Sequence, residues 1–313
     1  GIIKVPSFYQ DFTARRRGDK DYRSTTLDVE KIVENLVEIG IDAITIDLRG
    51  NSGGLLDEAA SLTGLFINEG PLVQLKDTNE KIDVINDPIP GSIYDGPMVV
   101  LIDRFSASAS EIFAGAIQDY SRGIIIGQKT YGKGSVQSLY PLDRYSRFTS
   151  KKGFGQLTLT VAKYYRVTGA GTQNKGVIPD IVLPSFIDEN LIGEETKINA
   201  LPWDRIPSLK FNTNKSLKEP IYFIENNFKS RSNNNLPFDY LKEDIKRSFE
   251  QREDSIVSLN IETRTASREQ ILNDNKDRRS NRLKVLGFEE DSFDDFRNQT
   301  ILNEIYHMVV DYI

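Results

Sequence analysis

The sequence predicts an α/β fold followed by a mainly helical C-terminal appendage, and three observations carry that prediction. Residues 1–185 alternate strand-like and helix-like stretches, as in a sheet covered by helices. Two of the strand-like runs, Ala43–Leu48 and Met98–Asp103, are mostly apolar, and each ends in a small-residue loop that opens a helix. After about residue 200 the texture becomes helical and polar, so a boundary falls within Pro184–Pro202, dividing a core over 1–195 from a helical domain over 196–313.

Taken in order, Thr25 and Thr26 offer caps for a helix carrying Leu27, Ile32, Val33, Leu36 and Val37, which Gly40 stops. The strand Ala43–Leu48 runs into Arg49-Gly-Asn-Ser-Gly-Gly54, and a second helix follows with Leu55, Leu56, Ala59, Leu62 and Phe66 on its apolar side. Leu72–Lys76 reads as a strand and Pro88–Gly96 as a turn-rich connection. The order then repeats with strand Met98–Asp103, the loop Phe105-Ser-Ala-Ser-Ala-Ser110, helix Glu111–Tyr120 and strand Ile124–Gly127. Leu157–Val167 and Gly176–Leu183 are expected to form a hairpin beside the main sheet, about a turn at Gly169–Gly171. Beyond the boundary, Phe238, Leu241, Ile245 and Phe249 recur at helical spacing, and Leu302, Ile305 and Val309 stripe a last helix. Ser267-Arg-Glu-Gln270 has a capping-box pattern, and Asp274–Lys284 reads as a solvated helix face.

Composition excludes several chemistries. There is no cysteine, which removes thiol nucleophiles, disulfides and thiolate metal sites. The single histidine, His307, sits in an apolar helical pattern near the C-terminus, which argues against a histidine triad or a His-rich metal site. Both signs of charge are mixed along the chain, with a net charge of -6, unlike a general nucleic-acid binder. No run approaches the roughly 20 apolar residues of a membrane span. Opening on Gly1-Ile-Ile-Lys-Val without a methionine, the chain reads as a piece of a longer polypeptide, with any signal or anchor expected upstream.

Two loops and a lysine remain as candidates for chemistry. Asn51-Ser-Gly-Gly54 offers unobstructed backbone N–H groups at a helix start, which suits an oxyanion hole, although a glycine pair after a strand is also a common turn. Ser108-Ala-Ser-Glu111 fits a capping box, which alone explains a serine there. It does not explain the small Ala107 and Ala109 that leave the hydroxyl accessible, nor the helix-terminal N–H groups beside it, so Ser108 is also a candidate nucleophile. Such a serine needs a base, and with histidine unavailable the candidate is Lys133, between Gly132 and Gly134, where walls from Tyr131 and Val136 would favour a neutral amine. Gln137, four residues on, can orient Lys133 without adding charge, but only if the segment is turned, because a flat strand would separate the two by about 13 Å.

With these motifs in order, the chain resembles the C-terminal processing peptidases: "DLRGNSGG", "SASASEIFAGAIQDY", "YGKGSVQ", Tyr164-Tyr-Arg-Val167 and "TQNKGVIPDI". "ALPWD" at Ala200–Asp204 and "IVSLN" at Ile256–Asn260 resemble the periplasmic tail-specific protease branch, Prc-type, so the resemblance spans essentially the whole chain. It implies a crotonase/ClpP-like protease core and a serine–lysine endopeptidase acting on proteins recognised through unstructured C-terminal tails. Carried onto this sequence, it makes Ser108 the nucleophile, Lys133 the general base, Gln137 its positioning residue, and the amides of Ala109 and of Gly53 or Gly54 the oxyanion hole. No metal or organic cofactor is implied, a periplasmic or cell-envelope location is, and an adaptor lipoprotein or self-association is the expected partnership. Membrane association would come only through parts outside this chain. The PDZ domain that members carry is not evident, which would weaken tail recognition. The competing expectations are a crotonase-like acyl-thioester enzyme, which also uses paired backbone N–H groups, and a non-catalytic scaffold in which Ser108 is only a cap.

Overall fold

The structure is a computed structural model that describes residues 1–145, 153–233, 235–253, 256–287 and 293–313. The chain forms two compact units, one of Gly1–Val182 with Glu189–Ile221 and one of Leu183–Asp188 with Tyr222–Ile313. In chain order the first unit contains β1 (Ile2–Lys4), α1 (Phe12–Arg16), α2 (Thr25–Glu38), β2 (Ile44–Asp47), α3 (Leu56–Gly64), β3 (Pro71–Asp77), β4 (Ile82–Asn86), β5 (Met98–Ile102), α4 (Ala109–Asp119), β6 (Ile124–Gly127), β7 (Ser135–Pro141), β8 (Gln156–Tyr165) and β9 (Ile181–Val182).

β1, β2, β5, β6 and β9 make a parallel sheet in the order β1-β2-β5-β6-β9. Every residue of β2, β5 and β6 is buried, Thr45 and Asp47 of β2 included, as strands at the centre of a parallel sheet are. The side chains of Ile44, Ile46, Met98 and Val100 form the core with Phe66 and Phe113, whose rings meet edge-on at 6.2 Å. β2 and β5 are neighbours, and α3 and α4 follow their carboxyl ends, so the glycine loop and the serine loop emerge side by side.

The second sheet is antiparallel, in the order β4-β3-β8-β7. The expected hairpin is therefore built differently. The turn at Gly169–Gly171 is present, with Gly169 N–H donating to Arg166 O at 2.8 Å, but the chain beyond it runs to β9 at the edge of the parallel sheet. The partner of β8 is instead β7, which arrives from the Lys133 loop, and β4, too polar to register as a strand in the sequence, closes the far edge. The first long helix is capped one residue earlier than expected: Ser24, in extended conformation, accepts the Leu27 N–H at 3.2 Å, while Thr25 Oγ1 donates to Ser7 O and Thr26 binds Glu58.

The second unit is helical, with α5 (Lys218–Asn233) from Tyr222 onward, α6 (Leu236–Glu253), α7 (Ile261–Leu286) and α8 (Phe293–Tyr312). Phe238 and Leu241 are buried as the apolar stripe predicts, and Phe228 meets Phe238 edge-on at 5.7 Å. On α8, Ile305 and Met308 are buried. Ser267 begins no helix: α7 starts six residues earlier, where Asn260 Oδ1 accepts the Thr263 N–H at 3.0 Å, and no glycine or proline interrupts the run before Gly287. Nor is Asp274–Lys284 solvated throughout, because Arg282 and Leu283 are buried. Among the described residues no helix is long and apolar enough to cross a membrane.

Phe113 is fully buried at the centre of the first core, so Phe113→Ala is expected to cost about 3–5 kcal/mol, read as a lower urea midpoint at unchanged slope.

Candidate active site

The three serines of the loop before α4 have different surroundings. Ser106 and Ser110 are buried, and their hydroxyls donate to Leu48 O and Asn51 O, each at 2.9 Å. With Ala107 N–H donating to Asn51 O at 3.0 Å, they fasten the serine loop to the glycine loop. Only Ser108 is half-exposed. Its backbone lies at φ 56 and ψ -112, a conformation that costs a non-glycine residue about 1–3 kcal/mol. Gly53 allows this close approach: a Cβ there would lie 2.7 Å from Ala107 O and 2.8 Å from Ser108 Cβ.

Directly behind Ser108, the wholly buried Glu111 carboxylate receives four donors. Oε2 accepts the N–H of Ser108 at 2.8 Å and of Lys133 at 2.9 Å, while Oε1 accepts Gly132 N–H at 2.7 Å and Thr130 Oγ1–H at 2.5 Å. One oxygen thus joins the backbones of the serine and the lysine, and their amide nitrogens can be no farther apart than those two bonds together. Burial pushes the Glu111 carboxyl up to about 7, with the four donors pulling the other way.

The carbonyl side of the same pair is held by Tyr164, whose hydroxyl is placed to donate to Lys133 O at 2.6 Å or Ser108 O at 3.1 Å. A phenol has one proton, so the two carbonyls share it. The lysine loop is further seated by Tyr131 N–H on Ser106 O at 3.0 Å and by Gly134 N–H on Gln173 Oε1 at 2.9 Å. A Cβ on Gly134 would stand 2.6 Å from Gln173 N, so the glycines flanking Lys133 let two backbones touch.

Lys133 is half-buried and its Nζ donates to Gln137 Oε1 at 3.3 Å, the contact that a flat strand forbids. Lys133 lies in the turned loop ahead of β7, and the ladder is interrupted between Val136 and Gln137, where β8 carries one additional residue. Among the described residues no carboxylate forms an ion pair with Lys133.

The glycine loop distinguishes its two amides. Gly53 N–H already donates to Asn51 Oδ1 at 2.8 Å. Phe8 N–H donates to Gly53 O and Leu55 N–H to Phe8 O, so the intervening Gly54 amide faces away from Phe8 and has no acceptor among the described residues. Ala109 N–H, in the first turn of α4, has none either.

A profile described as Peptidase family S41 matches residues 1–183. The chain belongs to peptidase family S41. A second profile, the C-terminal domain of tail specific protease, matches residues 187–313. A tail-specific protease of Haemophilus influenzae is 40% identical over 295 residues, covering 91% of this chain and 38% of that protein. A carboxy-terminal-processing protease of Bartonella bacilliformis is 36% identical over 181 residues, covering 58% of this chain and 40% of that protein. The chain therefore spans about two fifths of the length of these relatives. Among solved structures, a photosystem II D1 C-terminal processing protease aligns at a TM-score of 0.48 with 28% identity, over 61% of this chain and 44% of that one.

Within this S41 chain the structure brings Ser108, Lys133, Gln137, Ala109 and the glycine loop to one place. Sequence reasoning treated Glu111 as a cap partner and gave no role to Thr130, Tyr164 or Gln173. A glutamate directly before the apolar, small-residue run Ile112–Ile117 was the available signal for the first.

Glu111 also ties stability to pH. Its carboxyl titrates near 4.5 when unfolded and about 7 when folded, so between these values the folded state retains a proton the unfolded state has lost. The contribution is complete below about pH 4.5 and falls as pH rises to about 7, by on the order of 1.4 kcal/mol per pH unit. Glu111→Gln, which cannot titrate and sets an NH2 against the converging N–H groups, is expected to be less stable overall and to lack this slope in urea unfolding measured from pH 4 to 8.

Proposed function

We propose that this chain carries the catalytic centre of a serine endopeptidase with a Ser108–Lys133 dyad, acting through an acyl-enzyme on proteins recognised by their C-terminal tails. The observation that supports it most is the single Glu111 oxygen receiving the amides of both Ser108 and Lys133, which joins the backbone of a half-exposed, strained serine to that of a lysine with no carboxylate ion pair among the described residues. The family membership and the tail-specific and carboxy-terminal-processing relatives support the reaction class and the substrate class.

In this reading the Lys133 amine takes the Ser108 hydroxyl proton as Oγ bonds to the substrate carbonyl carbon. The carbonyl electron pair moves to oxygen, and the N–H groups of Ala109 and Gly54 receive that charge. Gly54 is preferred over Gly53 because the Gly53 proton is committed to Asn51. The tetrahedral carbon then expels the amine, which takes the proton from the Lys133 ammonium, and an ester on Ser108 remains. Water repeats the sequence: Lys133 removes its proton and returns it to Ser108 Oγ. Gln137, accepting from Lys133 Nζ, aims the base. Donors of this kind are worth roughly 10²–10³ each in rate, and a positioned base roughly 10²–10⁴.

The division into a catalytic core over 1–195 and a tail-specific-protease helical domain over 196–313 belongs to the same proposal, as do action in the periplasm or cell envelope and partnership with an adaptor lipoprotein or a second copy.

Cleavage of an unfolded protein by the full-length enzyme, followed on gels and by mass spectrometry of the new termini, tests the dyad. Ser108→Ala and Lys133→Ala are each expected to abolish cleavage while leaving the thermal midpoint near wild type, and retained proteolysis in either would refute the assignment. Gln137→Ala is expected to lower kcat without abolishing it. Tyr164→Phe keeps the buried ring but frees both carbonyls, so kcat is expected to fall about tenfold with KM unchanged, measured on a fluorogenic peptide.

A further inference from the structure

In the helical unit, α6, α7 and Phe186 line an open cavity of about 550 Å³ that the proposed peptidase chemistry does not use. Packed helices ordinarily face each other through apolar side chains. Here Arg247 of α6 and Lys276, Arg278, Arg279 and Arg282 of α7 line the space, against one lining carboxylate, Asp244. Counter-charge is unevenly distributed among them. Arg282 is held by Asp244 at 2.7 Å and Glu243 at 2.8 Å, and lies 4.5 Å over the Tyr240 ring. Arg247 meets Asp274 only at 3.9 Å, the limit of an ion pair.

Arg278 and Lys276 are less compensated still. Arg278 donates to the neutral Asn275, and its Nε is buried with no acceptor among the described residues. Lys276 is exposed and has no ionic partner among the described residues. Burial, with the positive charges of Arg247 and Arg282 outweighing the opposing carboxylates of Asp244 and Asp274, lowers Arg278 from its ordinary value. A buried guanidinium N–H without an acceptor and like charges converging on one space both cost stability, and a bound anion relieves both.

We propose that this cavity binds the phosphate group of a small soluble phosphomonoester. A dianion answers the two cations that have no ion pair among the described residues, and its oxygens suit the parallel N–H pairs of a guanidinium. Ser248, Gln251 and Asn275 add neutral donors on the same lining, so an anion held by arginine and lysine can be hydrogen-bonded on its other oxygens. The volume lies in the range of small-molecule sites and exceeds the need of a bare ion, and Phe186 offers an apolar surface to the organic part.

The test is calorimetric titration and thermal unfolding of the full chain with glycerol 3-phosphate, at ionic strength matched with chloride. Saturable binding and a raised thermal midpoint are expected, weakened about tenfold in Lys276→Met and in Arg278→Met. Without ligand, Arg278→Met is expected to be no less stable than wild type, because it removes like-charge repulsion. Lys276 is exposed, so its variant reports on binding even if Arg278→Met does not fold. No protection beyond matched chloride, equal protection by acetate, or undiminished binding in Lys276→Met would each overturn the proposal. Binding to phosphatidic acid vesicles with none to glycerol 3-phosphate would overturn the soluble ligand.

Discussion

The buried carboxylate of Glu111 is the constraint on which the proposed site depends. A charge without water is tolerated only where donors replace the water, and four converge here from Ser108, Thr130, Gly132 and Lys133. Those donors lie on two loops well apart in sequence, so satisfying one side chain fixes the loops against each other. The same side chain caps α4 through Ser108 N–H, which makes helix capping and site assembly one interaction.

Around that carboxylate each loop contact removes a degree of freedom from the pair. Ser106 and Ser110 pin the serine loop to the glycine loop, Tyr131 and Gly134 pin the lysine loop, and Tyr164 holds the two carbonyls. The strain at Ser108 is sustained because its neighbours are fixed on both sides, a condition for holding a reacting hydroxyl in one orientation. Tyr164 comes from the second sheet, so the β7–β8 ladder supplies the lysine loop from one strand and its clamp from the other.

The helical unit follows a different logic. Its apolar stripe around Phe238 and Leu241 is buried, whereas Arg247 of α6 and Arg278 of α7 line one cavity. A continuous hydrophobic seam would have stabilised the unit more simply; the arginines make it a polar cavity with a surplus of positive charge.

Periodicity and short-range turn chemistry made the strands β2, β5 and β6, the helices α3 and α4 and the stripes on α6 and α8 legible from sequence, because their burial follows from local pattern. The lack of cysteine and of a usable histidine pointed to a serine and a lysine, and glycine spacing pointed to Lys133. The sequence could not choose between Gly53 and Gly54, whose amides differ in the folded chain: Gly53 N–H donates to Asn51 Oδ1, and Gly54 N–H has no acceptor among the described residues. It read Glu111 as a local cap, since the bonds that define its larger role reach 22 residues to Lys133, while Tyr164 reaches 56 back to Ser108. It also paired β8 with the wrong segment, because strand pairing is decided by which edges the folded sheets leave open. Local pattern determined the elements and the candidate residues; only the tertiary structure decided their pairing, because hydrogen bonds between distant loops leave no period in the chain.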